Sequence, residues 1–154
     1  MTEAKTDFDL EAFLPYLLNQ AAEATSQGFQ ALYRDRYGIT RTQWRVLANL
    51  GKFGAMTARD ICAISHIEKT KVSRAVAALE LEQMLSRTPG EADRRTELLS
   101  LTGKGREVFA QLGELALNFD SALRETLGKH EAETLVELLR RLGARPPRGT
   151  GSED

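Results

Sequence analysis

One segment of this chain breaks the helical spacing that governs the rest. Two short β-prone runs, Leu85-Ser86-Arg87-Thr88 and residues 96–101, flank a turn over Pro89-Gly90-Glu91-Ala92-Asp93-Arg94. Apolar and polar residues in short runs, punctuated by Pro and Gly, predict a hairpin. The connection is too long for a two-residue turn, and it carries the cationic tip Asp93-Arg94-Arg95. A lone hairpin set among helical patterns restricts the fold to a mainly α protein with a small β-hairpin wing.

The helical patterns are read from apolar spacing and from capping signals. Leu10, Phe13, Leu14, Leu17, Leu18, Ala21, Phe29, Leu32 and Tyr33 predict a first helix over residues 9–37, with Gly38 ending it. Pro15 lacks a backbone donor, so the residues before it can form a separate turn. Thr40-x-x-Gln43 matches a capping box and opens a second helix through Trp44, Val46, Leu47 and Leu50. Thr57-x-x-Asp60 has the same form and opens a short third helix with Ile61, Cys62 and Ile64, ended by a turn at Ser65-His66-Ile67. A fourth helix over residues 68–83 places Val72, Ala75, Val76 and Leu79 on one face. Glu68, at its start, is a poor N-cap. Thr102 caps a long fifth helix, Gly128 ends it, and a last helix over residues 130–142 carries Leu135, Leu138, Leu139 and Leu142, with Gly143 as its C′ residue.

Bulk properties narrow the function classes. A chain of 154 residues has room for one compact domain with added helices, not for two independent cores. No apolar run approaches the roughly 20 residues of a bilayer span, and no basic region with an apolar core opens the sequence, so a cytoplasmic location is expected. The net charge of −1 argues against nucleic acid only until its distribution is considered. Residues 51–106 hold ten Lys and Arg against seven Asp and Glu, so the flanks carry the acidic excess. An enzyme is not expected: there is no Gly-rich phosphate loop, no nucleophile beside a plausible base, and no metal-ligand spacing among Cys62, His66 and His130. Neither a metal nor a cofactor is called for. Cys62 reads as a buried structural residue, since no activating partner accompanies it.

The polar face of the fourth helix offers Lys69, Thr70, Lys71, Ser73 and Arg74. These side chains suit guanine acceptors, phosphates and the thymine methyl, and a helix of about 14 residues rises roughly 20 Å, enough to lie across a major groove. Arg94 and Arg95 on a hairpin tip suit the negative potential of a narrow minor groove. Asp93 is expected to orient a neighbouring arginine by a charge-assisted bond. Taken singly, each feature also fits an ordinary solvated charged surface; helix and wing in this order point to double-stranded DNA.

Together, Lys69-Thr70-Lys71-Val72-Ser73-Arg74, Leu79-Glu80, Asp93-x-Arg95 and Leu101-Thr102-x-x-Gly105 resemble the MarR family of bacterial transcriptional regulators, as does Gln43-Trp44-Arg45-Val46-Leu47. The resemblance spans residues 13–142. It implies a single domain over residues 9–142: a winged helix-turn-helix lobe over 38–101, dimerisation helices over 9–37 and 102–142, and mobile termini at 1–8 and 143–154. It further implies an obligate homodimer on a palindromic operator, with Asp93 and Arg95 at the minor groove and Arg94 near phosphate. Glu68 departs from the Asp often found there in the family. Family regulators commonly bind small aromatic or anionic effectors between the dimer helices and the lobe, which makes Phe29, Tyr33, Trp44 and Arg45 candidate effector-binding residues. By spacing alone Trp44 reads as core.

The residues support a dimer independently, because the terminal helices carry more large apolar side chains than a winged lobe needs for its own core. A symmetric contact would bury Leu14, Leu17, Leu135, Leu138, Leu139 and Leu142. The expected function is that of a dimeric DNA-binding transcriptional regulator, a repressor relieved by a small molecule. The competing readings are a winged-helix protein-interaction module that does not bind DNA, and a constitutive architectural regulator with no effector.

Overall fold

A computed structural model describes residues 7–144. A 3-10 turn at Leu10–Ala12 precedes six helices and one hairpin. In chain order these are α1 (Leu14–Tyr37), α2 (Arg41–Phe53), α3 (Ala58–Ser65), α4 (Lys69–Leu81), β1 (Leu85–Pro89), β2 (Glu97–Leu101), α5 (Gly103–Leu127) and α6 (Lys129–Gly143). The described residues form two units, divided within α5 between Leu115 and Ala116. The expectations for residues 1–6 and 145–154 lie outside the described residues.

The predicted first helix is two elements. Pro15 sits in the first turn of α1, where its missing donor costs nothing, and Asp9 caps the separate 3-10 turn by accepting from the Glu11 amide at 3.0 Å. Gly38 closes α1 in the left-handed region, with φ of 65°. Both capping boxes form. Thr40 and Gln43 exchange side-chain bonds with each other's backbone amides at 3.2 and 3.1 Å, and Thr57 and Asp60 do so at 3.1 and 3.3 Å.

Several boundaries differ from the sequence reading: β1 takes in Pro89, which was expected in the turn, α6 begins at Lys129, and three further differences have a local cause. Helix α4 stops at Leu81 because Gln83 turns left-handed, with φ of 59°. The Gln83 amide then donates to the Glu80 carbonyl and the Met84 amide to the Leu79 carbonyl, both at 2.9 Å, and Leu79 and Met84 are buried. This is a Schellman end built on glutamine where glycine is usual. Strand β2 begins at Glu97, since Thr96 is used to close the turn. Gly143 is the last helical residue of α6 and not a left-handed cap; the cap is Ala144.

The core of the first unit is organised by α4. Val72, Ala75, Val76 and Leu79 are all buried, which follows from their i, i+3, i+4, i+7 spacing. They meet Val46, Leu47 and Leu50 of α2, Ile61 of α3, and Leu85, Leu99 and Leu101 of the hairpin. Each such side chain contributes about 1.5–3 kcal/mol on burial. Tyr33 of α1 and Val108 and Leu112 of α5 belong to the same core, so the lobe is packed by the helices that flank it.

The hairpin is antiparallel, with Leu85 opposite Leu101 and Pro89 opposite Glu97. Its inner edge is joined to the segment between α2 and α3: the Met56 amide donates to the Leu99 carbonyl at 3.0 Å and the Leu99 amide to the Met56 carbonyl at 2.8 Å. The wing root is therefore attached to the helix-turn-helix as well as to its own strands. No helix among the described residues is long and apolar enough to cross a membrane.

Candidate nucleic-acid interface

Helices α3 and α4 are joined by a turn in which His66 adopts φ of 54°. The end of α3 is held from below by α2. Arg45 donates from Nη2 to the Ser65 carbonyl at 2.8 Å, and Asn49 donates from Nδ2 to Ser65 Oγ at 3.0 Å and to the Arg45 carbonyl at 2.7 Å. Ser65 is buried, and these bonds satisfy it. The angle at which α4 leaves the turn is thus set by a polar network and by the apolar face of α4.

Lys69, Thr70, Lys71, Ser73 and Arg74 are all exposed on α4. Glu68 is the N-cap residue, but its side chain makes no capping bond, in keeping with its poor suitability for that position. The positive end of the helix dipole and the first backbone amides of α4 are left available to an anion. Ion pairs among the described residues engage Arg41, Arg87 and Arg124; none engages Lys69, Lys71, Arg74, Arg94 or Arg95. Cations that are exposed and unpaired can exchange counterions for phosphates.

The wing tip is a tied turn. Gly90 donates to the Thr96 carbonyl at 2.7 Å, and the Thr96 amide and hydroxyl donate to the Asp93 carbonyl at 3.0 and 2.9 Å. Asp93 Oδ1 accepts the Arg95 backbone amide at 3.0 Å. Asp93 therefore orients Arg95 through the main chain, and not through the guanidinium as a charge-assisted pair would. Arg94 and Arg95 are both exposed on this turn.

Arg87, to which the sequence reading gave no role, and Thr102, read there only as a helix cap, fix the wing on the rest of the unit. Arg87 of β1 donates from Nε to Glu80 of α4 at 3.0 Å and from Nη1 to Glu97 of β2 at 2.9 Å. The Glu97 hydrogen bond, with the charge of Glu80, holds the Arg87 guanidinium above its ordinary pKa. Thr102 donates from Oγ1 to the Gln83 carbonyl at 2.6 Å and accepts the Gly105 amide at 3.0 Å, which caps α5 and ties it to the end of α4. Gly105 packs so closely on the Met84 carbonyl that a Cβ there would collide with it.

The four effector candidates, Phe29, Tyr33, Trp44 and Arg45, line one cavity of about 380 Å³ between α1 and α2, together with Glu23, Arg41 and other side chains. Trp44 is half-buried against the core and meets Phe29 edge to face at 5.2 Å between centroids. Arg45 is committed to Ser65 and is not a free ligand group. Arg41, absent from the sequence reading, pairs with Glu23 at 2.9 and 3.0 Å. That bond, and a second from Gln27, hold the Glu23 carboxyl below the ordinary carboxylate range. Burial raises the Tyr33 phenol. Cys62 is half-buried and lines a surface hollow with Ala58, Arg59 and Lys69, which corrects its expected full burial.

A family model described as "MarR family" matches residues 37–96. The HTH-type transcriptional regulator FarR of Neisseria gonorrhoeae is 27% identical over 125 residues, covering 81% of this chain and 85% of FarR. The HTH-type transcriptional repressor MdtR of Bacillus subtilis is 31% identical over 78 residues, 51% of this chain and 50% of MdtR. Among solved structures, NadR in complex with 4-hydroxyphenylacetate superposes with a TM-score of 0.75 at 25% identity, covering 95% of this chain and 99% of NadR.

Proposed function

Because the chain belongs to the MarR family of DNA-binding transcriptional regulators, we propose that it works as a homodimeric repressor of a pseudo-palindromic operator, released by a small aromatic or anionic effector. The observation that carries this reading is the joining of two exposed cationic elements to one core. Helix α4 presents Lys69, Thr70, Lys71, Ser73 and Arg74 for a major groove, and the wing presents Arg94 and Arg95 for the adjacent minor groove or its phosphates.

The dimer is supported by apolar faces left uncovered on a single chain. Leu14 and Leu17 of α1 are 62% and 43% exposed, and Leu135, Leu138, Leu139 and Leu142 of α6 are 41–58% exposed. The α6 residues form one stripe by their i, i+3, i+4, i+7 spacing, a pattern that buries well against a symmetry-related copy. On this reading residues 9–37 and 102–142 serve dimerisation, residues 38–101 serve DNA, and the protein acts in the cytoplasm.

Relief by an effector is supported by the aromatic cavity beside α2 and by the 4-hydroxyphenylacetate bound to NadR. A ligand there acts by preferring the dimer whose two α4 helices are misplaced for successive major grooves, and only its differential affinity drives the shift. The experiment is selection of genomic fragments by the full-length protein at low salt, with its mass followed by sedimentation. Retention of a pseudo-palindromic fragment by a dimer, reversed by an aromatic acid, is the expected result. A dimer that retains no fragment would make the protein an interaction module; retention that no effector relieves would make it a constitutive DNA-binding regulator.

A further inference from the structure

We infer that Glu23 and Arg41 form a carboxylate-exchange gate on the aromatic cavity, and that the effector is an aromatic monocarboxylate whose carboxylate replaces that of Glu23 on Arg41. This rests on the effector reading of the cavity and adds its chemistry and its internal competitor.

The walls are aromatic. Phe29 meets Tyr33 at 5.1 Å and Trp44 at 5.2 Å, both edge to face, and all three rings line the cavity, an apolar wall against which a planar ring can pack. Tyr33 is only 1% exposed, and burial raises its phenol above the ordinary value while the charge of Arg41 opposes that rise.

The charged side of the cavity selects an anion. Two arginines, Arg41 and Arg45, stand against one carboxylate, Glu23, so the lining has an excess of one positive charge. Arg45 spends its hydrogen bond on a neutral carbonyl and keeps its field. Arg41 is held in a two-point grip, Nη1 to Oε2 and Nη2 to Oε1, which is the geometry any carboxylate can adopt. Both side chains are at least a third exposed, at 34% and 50%, so the pair is a weak, exchangeable contact and not a structural brace. Glu23, kept ionised by Arg41 and Gln27, competes with any incoming carboxylate at all physiological pH values. A neutral ligand lacks the charge to replace Glu23 in that two-point grip.

Trp44 is the single tryptophan of the chain and lies in the cavity wall, so its fluorescence reports binding directly. The test titrates full-length protein with phenylacetate and with its neutral analogue phenylacetamide, in wild type, Glu23→Gln and Arg41→Gln, with melting temperatures recorded to show that each variant is folded. The expected result is that Glu23→Gln tightens phenylacetate about three- to tenfold and leaves phenylacetamide unchanged. Arg41→Gln should reduce the acid to the affinity of the amide. Equal affinities of wild type and Glu23→Gln for the acid, or amide binding as tight as acid binding in wild type, overturn the gate while leaving a cavity that binds aromatics. Failure of both compounds to perturb Trp44 in all three folded proteins overturns the effector reading, and the gate with it.

Discussion

Asp93 Oδ1 accepts the backbone amide of Arg95 at 3.0 Å, so the wing tip is shaped by its acidic residue and presents its charge through the basic one. The same turn is closed by Thr96 on the Asp93 carbonyl. Replacing Asp93 by Ala removes the acceptor and keeps both arginines. The expected outcome is a several-fold loss of affinity for a selected DNA fragment with an unchanged dependence on salt, because no phosphate contact is lost. Fluorescence anisotropy over a salt series measures both quantities.

Gly105 should tolerate no side chain. A Cβ there meets the Met84 carbonyl at the point where Thr102 ties α5 to the end of α4. Backbone must move to make room, and Gly105→Ala is expected to cost about 2–4 kcal/mol. Chemical denaturation of the variant checks this; the control Gly103→Ala, which has open space, should be close to neutral.

Arg87 links α4 and the wing through Glu80 and Glu97. Its guanidinium is engaged with both carboxylates and stays charged, so it acts by positioning. Arg87→Ala should weaken fragment binding about three- to tenfold, with the salt slope intact and stability reduced by less than about 1 kcal/mol, the usual worth of such exposed pairs. A drop in slope would instead make Arg87 a phosphate contact.

Leu138 of α6 is 44% exposed on the single chain, so Leu138→Glu costs little within one chain and should act on association. Sedimentation is expected to show a monomer at concentrations where the wild type is a dimer, with fragment binding lost in parallel. A dimeric Leu138→Glu protein would remove α6 from the interface.

Features set by short-range geometry were legible before any coordinates. The Thr40–Gln43 and Thr57–Asp60 boxes, the buried stripe from Val72 to Leu79 and the capping Thr102 each depend on residues three or four positions apart, and all formed. What could not be read depends on distant partners. Glu23 meets Arg41 across 18 positions, and Met56 pairs with Leu99 with no strand signal around it. Gln83 adopts a left-handed backbone that its side chain does not announce; burial of Leu79 and Met84 offsets that strain. Asp93 could be assigned an orienting role from its charge, but whether it would hold the guanidinium or the amide of Arg95 is a matter of turn geometry.

The central claim is that the wing delivers Arg95 to DNA while α4 reads the adjoining groove. It is tested most directly by the salt dependence of fragment binding in wild type and in Arg95→Ala. The account predicts that the variant binds at least about tenfold more weakly and that the slope of log affinity against log salt falls by about one, the signature of one lost phosphate-region cation. Unchanged affinity and unchanged slope in a folded, dimeric Arg95→Ala protein would contradict it.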